Sequence, residues 1–272
     1  MGAIVRERSV VYVRKELFLT IGINSYLIVC PLLFLAGLVD AIGGGGGLVS
    51  LPAYLLAGLP VHTAVATNKL SSSCGTAVAA GRFMHGGLVN WRFCIPAVIC
   101  AVVGSSLGAY FSMSLSEQIM LAVLAVMIPV SALLVLNKKL FNDNGNDHIA
   151  SDRKTMLVGC AAALIIGFYD GFYGPGTGTF LIVAFTVFAK MSVQTANAQT
   201  KMINLTTNVT SLAIFLMHGQ VLISLGLAAA VCNMLGGYIG AGMVMKNGSA
   251  IVKPTILLVL ALLVVKTVWN YL

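Results

Sequence analysis

Two aspartates and two lysines, Asp40, Lys69, Asp170 and Lys201, stand in stretches that are otherwise apolar or neutral. A carboxylate and an ammonium in such surroundings can pair, carry a proton or hold an ion of opposite sign. Each aspartate is followed by glycines: Gly43 to Gly47 after Asp40, and Gly174-Pro175-Gly176-Thr177-Gly178 after Asp170. A glycine-rich segment that opens a helix presents unpaired backbone N–H groups, and the helix dipole adds partial positive charge there. Two lysines and two such openings are the chemistry of an anion site.

The constellation is written twice. Asp40 and Asp170 are 130 positions apart, Lys69 and Lys201 are 132 apart, and His85 and His218 are 133 apart. Each copy reads in the same order: an apolar segment ending in Asp, the glycines, a short apolar run, a break (Pro60-Val61-His62-Thr63 or Ser192-Val193-Gln194-Thr195), and a polar segment carrying Lys.

The elements that must position these residues follow from composition. The 272 residues are 58% hydrophobic and 9% charged, against about 25% charged in an average soluble domain. Apolar segments of roughly 20 residues, enough for about 30 Å of hydrocarbon, cover Leu17 to Val39, Phe93 to Phe111, Ile119 to Leu136, Thr155 to Tyr169, Leu222 to Met245 and Ile251 to Leu272. The fold class is an all-α polytopic membrane protein with about eight to ten helical membrane segments, embedded in a lipid bilayer. The alternating segments of about ten residues that a β-barrel needs are not seen. No cleavage site of small residues precedes the first span, so it reads as a span and not as a signal peptide. A net charge of +8 would suggest nucleic acid in a soluble chain; here it reflects loop Lys and Arg beside headgroups, and no nucleic-acid partner is expected. The six cysteines, Cys30, Cys74, Cys94, Cys100, Cys160 and Cys232, fall in apolar stretches and read as small buried hydrophobes.

Four parts are expected: an interfacial or flexible segment over 1–16, a first membrane repeat over 17–136, a polar linker over 137–154, and a second repeat over 155–272. Helix through five successive glycines costs roughly 1 kcal/mol per residue relative to Ala, so the backbone leaves the helix there. The run from Leu48 to Ala57 is too short to cross and reads as a half helix, followed by a polar helix over Thr63 to Phe83. Their counterparts are Thr179 to Ala189 and Thr195 to Met217. Lys201, Asn204, Asn208 and Ser211 share one face of the second polar helix, as Lys69, Ser72, Ser73 and Thr76 do on the first. Each half helix either turns back with its polar helix or both cross. Both counts are odd, which inverts one copy relative to the other. Arg82, Arg92, Lys138, Lys139, Arg153, Lys154, Lys246 and Lys253 then share the linker side, and the positive-inside rule puts that side in the cytoplasm. The cluster Arg6, Arg8, Arg14 and Lys15 falls on the opposite side and disagrees with that rule.

Charges at membrane depth cost at least about 2.5 to 3.5 kcal/mol each unless paired or facing a cavity, which marks the four as functional candidates. In one reading they form two neutral pairs, each tying a span to the polar helix of its own copy. In the other they serve a permease. Broken helices of inverted repeats then meet near the midplane, with half-helix N-termini aimed at an anionic substrate. The expected substrate-binding residues are Gly43, Gly44, Gly45, Gly46, Asn68, Lys69, Ser72, Gly174, Gly176, Thr177, Lys201, Asn204 and Asn208. Asp40 and Asp170 are the expected coupling groups, able to carry a proton. The glycines by themselves serve close helix packing equally well. A cation or metal-ion permease using Asp40 and Asp170 is the alternative, disfavoured because the lysines would repel the cation; a non-transporting scaffold would leave the duplicated polar centre unexplained. His62, His85, His148 and His218 show no metal spacing, and no metal or cofactor is expected. A dinucleotide loop would need a strand before the glycines, and enzyme motifs such as Gly-x-Ser-x-Gly are absent. The chain reads as a transporter and not an enzyme.

These motifs resemble the TauE/SafE family of bacterial sulfite exporters and sulfonate permeases. The resemblance rests on Gly37-Leu38-Val39-Asp40 with its glycine run, Ala66-Thr67-Asn68-Lys69, Gly167-Phe168-Tyr169-Asp170-Gly171-Phe172-Tyr173-Gly174-Pro175, and Ala198-Gln199-Thr200-Lys201 with Asn204, from about Val29 to the C-terminus. It implies a multi-pass protein of the bacterial plasma (inner) membrane. It also implies a small anionic substrate of the sulfite or sulfoacetate type. The basic N-terminal segment departs from the family pattern.

Overall fold

The computed structural model describes residues 22–123, 126, 153–248, 250, 251 and 254. The expectations for the N-terminal segment, for nearly all of the polar linker, and for most of the spans at 119–136 and 251–272 lie outside the described residues.

Eight helices carry the architecture: α1 Ile23–Gly43, α2 Gly47–Leu56, α3 Val61–His85, α4 Trp91–Ser114, α5 Arg153–Phe172, α6 Thr177–Val187, α7 Val193–Met217 and α8 Ile223–Asn247; residues 117–123 are helical as well. Each boundary lies within a few residues of its sequence expectation, because the breakers are strong. Gly44 adopts φ 76° and ends α1, Asn90 Oδ1 accepts from Phe93 N to start α4, and Ser192 Oγ accepts from Thr195 N to start α7. α1 outlasts its expected end because the first glycine of the run stays helical, so the break is confined to 44–46. α1, α4, α5 and α8 are long and apolar enough to cross a membrane. Their outer faces carry exposed aliphatics such as Ile95, Ile99 and Leu107 on α4, and Leu227, Val231 and Leu235 on α8. The polar helices α3 and α7 lie inside, with Thr67, Asn68, Lys69, Thr200, Lys201 and Thr207 buried. Apolar spans therefore shield the polar stripe from lipid, as its cost there demands.

Close approaches fix the helix directions. A methyl group on Gly236 or Gly240 of α8 would lie 2.0 or 2.5 Å from the carbonyl oxygens of Phe34 and Leu38 in α1. One on Gly104 or Gly108 of α4 would lie 2.2 or 2.0 Å from those of Leu164 and Phe168 in α5. Numbers rise together across each seam, so α1 runs parallel to α8 and α4 to α5. α3 runs with α8, since Leu70 meets Gly226 and Arg82 meets Gly242. Lys69 reaches Asn208 on α7, and α7 runs with α4, since Cys94 meets Gln199 and Gly167 touches both Ala101 and Thr207. α3 and α7 run in opposite directions, since Thr67 meets Leu222, Lys69 meets Asn208 and Leu88 meets Gln199, so the first copy's α1 and the second copy's α5 are also opposed, which is the inverted repeat. The copies are also intertwined: α1 of the first packs on α8 of the second, and α5 of the second packs on α4 of the first.

The half helix α2 packs on both of its neighbours: Ser25 Oγ of α1 donates to Ala57 O at 3.5 Å, Tyr54 Oη donates to Ser71 Oγ of α3 at 2.9 Å, and Val29 and Leu33 of α1 share one core with Leu51 and Tyr54 of α2 and with Ala64 and Val65 of α3.

Candidate functional site

The two glycine turns face each other across the pseudo-twofold axis. A Cβ on Gly44 would sit 2.2 Å from the Gly178 carbonyl carbon, and one on Gly47 would sit 2.9 Å from Pro175 Cα. Only glycine permits both contacts, and Gly44 also holds a left-handed φ. Close packing and the cradle thus coexist at these residues.

α1 ends inside the molecule, where the carbonyls of Ala41, Ile42 and Gly43 lack a helical partner and that of Asp40 accepts the Gly44 N–H at 2.8 Å. Residues of the other copy supply them. Lys201 Nζ donates to Asp40 O, Asn197 Nδ2 to Ala41 O and Ile42 O, both at 3.0 Å, and Thr179 Oγ1 to Gly43 O at 2.8 Å. Asn197 and Thr179 were not singled out from the sequence. The available signal was the glycine break itself, since a helix that ends at membrane depth requires donors.

The four charges form two pairs, but not the pairs expected. Lys69 Nζ lies 2.9 Å from Asp170 Oδ2, and Lys201 Nζ lies 2.9 Å from Asp40 Oδ2. Each lysine therefore neutralises the aspartate of the other copy, because intertwining brings α1 to α7 and α5 to α3. The pairs also differ. Side-chain exposure is 2% for Lys69 and 5% for Asp170, against 0% for Lys201 and 21% for Asp40. Lys69 donates as well to Asn208 Oδ1 at 3.0 Å, whereas the second partner of Lys201 is the Asp40 carbonyl. Lys201 thereby places a cation at the C-terminal end of α1, where the dipole favours it.

Between the turns and the polar helices lies a cavity of about 30 Å³, room for roughly two water molecules at about 10–15 Å³ each. Of the residues expected from sequence it collects Asp40, Gly44, Asn68, Lys69, Ser72, Asp170, Gly174, Thr177, Asn204 and Asn208 on its wall, together with Gly47, Thr76 and Gly178. Gly43, Gly45, Gly46, Gly176 and Lys201 are not on the wall. Gly46 packs on Ala36 O and Asp40 Cβ, and a Cβ on Gly45 would meet nothing closer than 3.6 Å. Gly176 caps α6 with φ 86°. Ser73 and Ser211 turn to carbonyls of their own helices, Lys69 O at 2.6 Å and Thr207 O at 2.7 Å, so the cavity face of each polar helix is narrower than its sequence stripe. The N-termini of α2 and α6 both open on the cavity through Gly47, Thr177 and Gly178. Among the described residues, no group of three or more His, Cys, Asp or Glu side chains could hold a metal.

A family profile described as "Sulfite exporter TauE/SafE" matches residues 29–267. A "Probable membrane transporter protein" of Haemophilus influenzae (strain ATCC 51907 / DSM 11121 / KW20 / Rd) is 34% identical over 92% of this chain and 97% of its own length. The "Probable membrane transporter protein ORF9" of Sinorhizobium sp is 34% identical over 83% of this chain and 85% of its own length. The "Probable membrane transporter protein YfcA" of Escherichia coli (strain K12) is 31% identical over 91% and 94%. No solved structure matches. With helices fit to cross a bilayer, a doubled polar centre and this match over most of its length, the chain is a multi-pass membrane transporter and belongs to the sulfite exporter TauE/SafE family.

Proposed function

We propose that the protein is a permease of the bacterial inner membrane for a small anion carrying a sulfite or sulfonate group. The observation that carries this reading is the position of Lys69. Lys69 is buried and lines the cavity, and a methyl group on Gly174 in the second glycine turn would lie 3.1 Å from its Nζ. An oxyanion in the cavity would meet that ammonium, the backbone N–H groups of Gly47 and Gly178, and the amides of Asn68, Asn204 and Asn208. A cavity of about 30 Å³ is small for an oxyanion of four heavy atoms, so the proposed transport cycle includes a wider form of the same site. Asp40 is the proposed proton carrier, since its carboxylate is the more open of the two. The cation-permease alternative gains nothing from the geometry, because both carboxylates are held by lysines at 2.9 Å.

The test is thermal stabilisation of purified protein by sulfite, sulfoacetate, taurine, simple carboxylates and divalent cations. Sulfite or a sulfonate should raise the melting temperature in wild type and fail to do so in Lys69→Met carrying Asp170→Leu. Stabilisation by cations alone would overturn the assignment.

A further inference from the structure

The two outer seams repeat one detail that the transport site does not use. Along the α1–α8 seam, Gly236 and Gly240 sit against the carbonyls of Phe34 and Leu38. One helical step earlier on both helices come Cys232 and Cys30. Along the α4–α5 seam, Gly104 and Gly108 sit against Leu164 and Phe168, and one step earlier come Cys100 and Cys160. Cys30 and Cys160 are 130 positions apart, and Cys100 and Cys232 are 132 apart, the same offsets that relate the aspartates and the lysines. Backbone contact one turn away, on the same helix faces, sets the two cysteines of each pair toward one another across their seam. All six cysteines are free, and these four are partly exposed at the molecular edge, beside outward aliphatics such as Leu27 and Val231. A disulfide needs Cα atoms about 4.4–6.8 Å apart, and backbone contact one turn away favours that approach.

We propose that Cys30–Cys232 and Cys100–Cys160 are two oxidisable thiol pairs whose closure staples one copy to the other within the membrane. The oxidant is a hydroperoxide dissolved in the lipid, because these sulfurs stand beside lipid-facing aliphatics and away from aqueous reagents. One sulfur attacks the hydroperoxide as its proton passes to the departing oxygen; the O–O bond breaks, an alcohol leaves, and a sulfenic acid remains. The facing thiol then displaces water from the sulfenic sulfur and forms the S–S bond. In sum, two thiols and one hydroperoxide give one disulfide, one alcohol and one water. Each bridge joins the first and second copies, so it restrains separation of the copies without touching the cavity, and it constrains the unfolded chain as any long-loop cross-link does.

The experiment uses the full chain in liposomes, with a protease site placed in the 137–154 linker and cumene hydroperoxide as the oxidant. After denaturation, maleimide-reactive thiols should fall from the six present to two, Cys74 and Cys94. The cleaved halves should stay together on a non-reducing gel and separate on reduction. The melting temperature should rise by several degrees in wild type and not in Cys30→Ala with Cys100→Ala. A count that stays at six overturns the proposal. So do halves that separate without reductant, and so does an equal thermal shift in the double variant.

Discussion

The crossed ion pairs make an unusually discriminating prediction about double substitutions. Lys69→Met leaves the Asp170 carboxylate, 5% exposed, without its cation, and Asp170→Leu leaves Lys69, 2% exposed, without its anion. Either should cost about 3–5 kcal/mol, the range for an uncompensated buried charge. Lys201→Met should cost less than its counterpart, because Asp40 is 21% exposed and is partly solvated from the cavity. Removing a whole pair, Lys69→Met with Asp170→Leu or Lys201→Met with Asp40→Leu, replaces two charges by apolar groups of similar volume and should return stability close to wild type. Removing the lysine and aspartate of one copy strands two charges instead. Lys69→Met with Asp40→Leu leaves both Asp170 and Lys201 unpaired, for a sum of about 6–10 kcal/mol, which rivals the entire stability of about 5–15 kcal/mol of a folded domain. Fluorescence-detected gel filtration and melting of the solubilised variants read this directly. Crossed doubles should elute as folded protein, and same-copy doubles should yield none. Equal behaviour of the two sets would refute the crossed pairing. Transport separates the roles further: Lys201→Met with Asp40→Leu loses only a helix cap and the proton carrier, whereas Lys69→Met with Asp170→Leu should weaken anion binding by about 2–5 kcal/mol.

Gly44→Ala and Gly178→Ala should each abolish transport and lower expression, since the added methyl groups would meet opposing backbone at 2.2 and 2.5 Å, while Gly45→Ala, with nothing nearer than 3.6 Å, should keep near-normal uptake of labelled substrate. Asn208→Leu removes an acceptor of the Lys69 ammonium and should cost about 1.5–3 kcal/mol, the value of a hydrogen bond to a charged group, read as lower expression or a lower melting temperature. Flux in vesicles should rise with an imposed proton gradient in wild type and become indifferent to it in Asp40→Asn; indifference in both would dismiss the proton role. Cysteine placed at Gly87, between α3 and α4, should react with an impermeant maleimide only from the cytoplasmic side, and one placed at Ser116 only from the opposite side, as the loop charges require.

Much of this protein follows from local signals alone. The doubled order of Asp, glycines, short apolar run and Lys is a repeat that needs no coordinates, and glycine and proline set helix ends to within a few residues because backbone preference acts on nearest neighbours. Charge at membrane depth singled out the four residues that now pair at 2.9 Å. What the sequence could not decide is which helix lies beside which. Lysine and aspartate of one copy look like partners on paper, yet α1 packs on α8 and reaches α7, so each ammonium meets the carboxylate of the other copy. Lys69 and Lys201 are equivalent in the repeat but not in the molecule, one on the cavity wall and one closing the end of α1. Asn197 and Thr179 carry no motif; their roles arise because the carbonyls of Ala41, Ile42 and Gly43 at the buried end of α1 need donors, and only the packed second copy brings them within reach. Spacing along the chain specifies what each segment must bury or satisfy, and the intertwined packing of two inverted copies determines which groups do it.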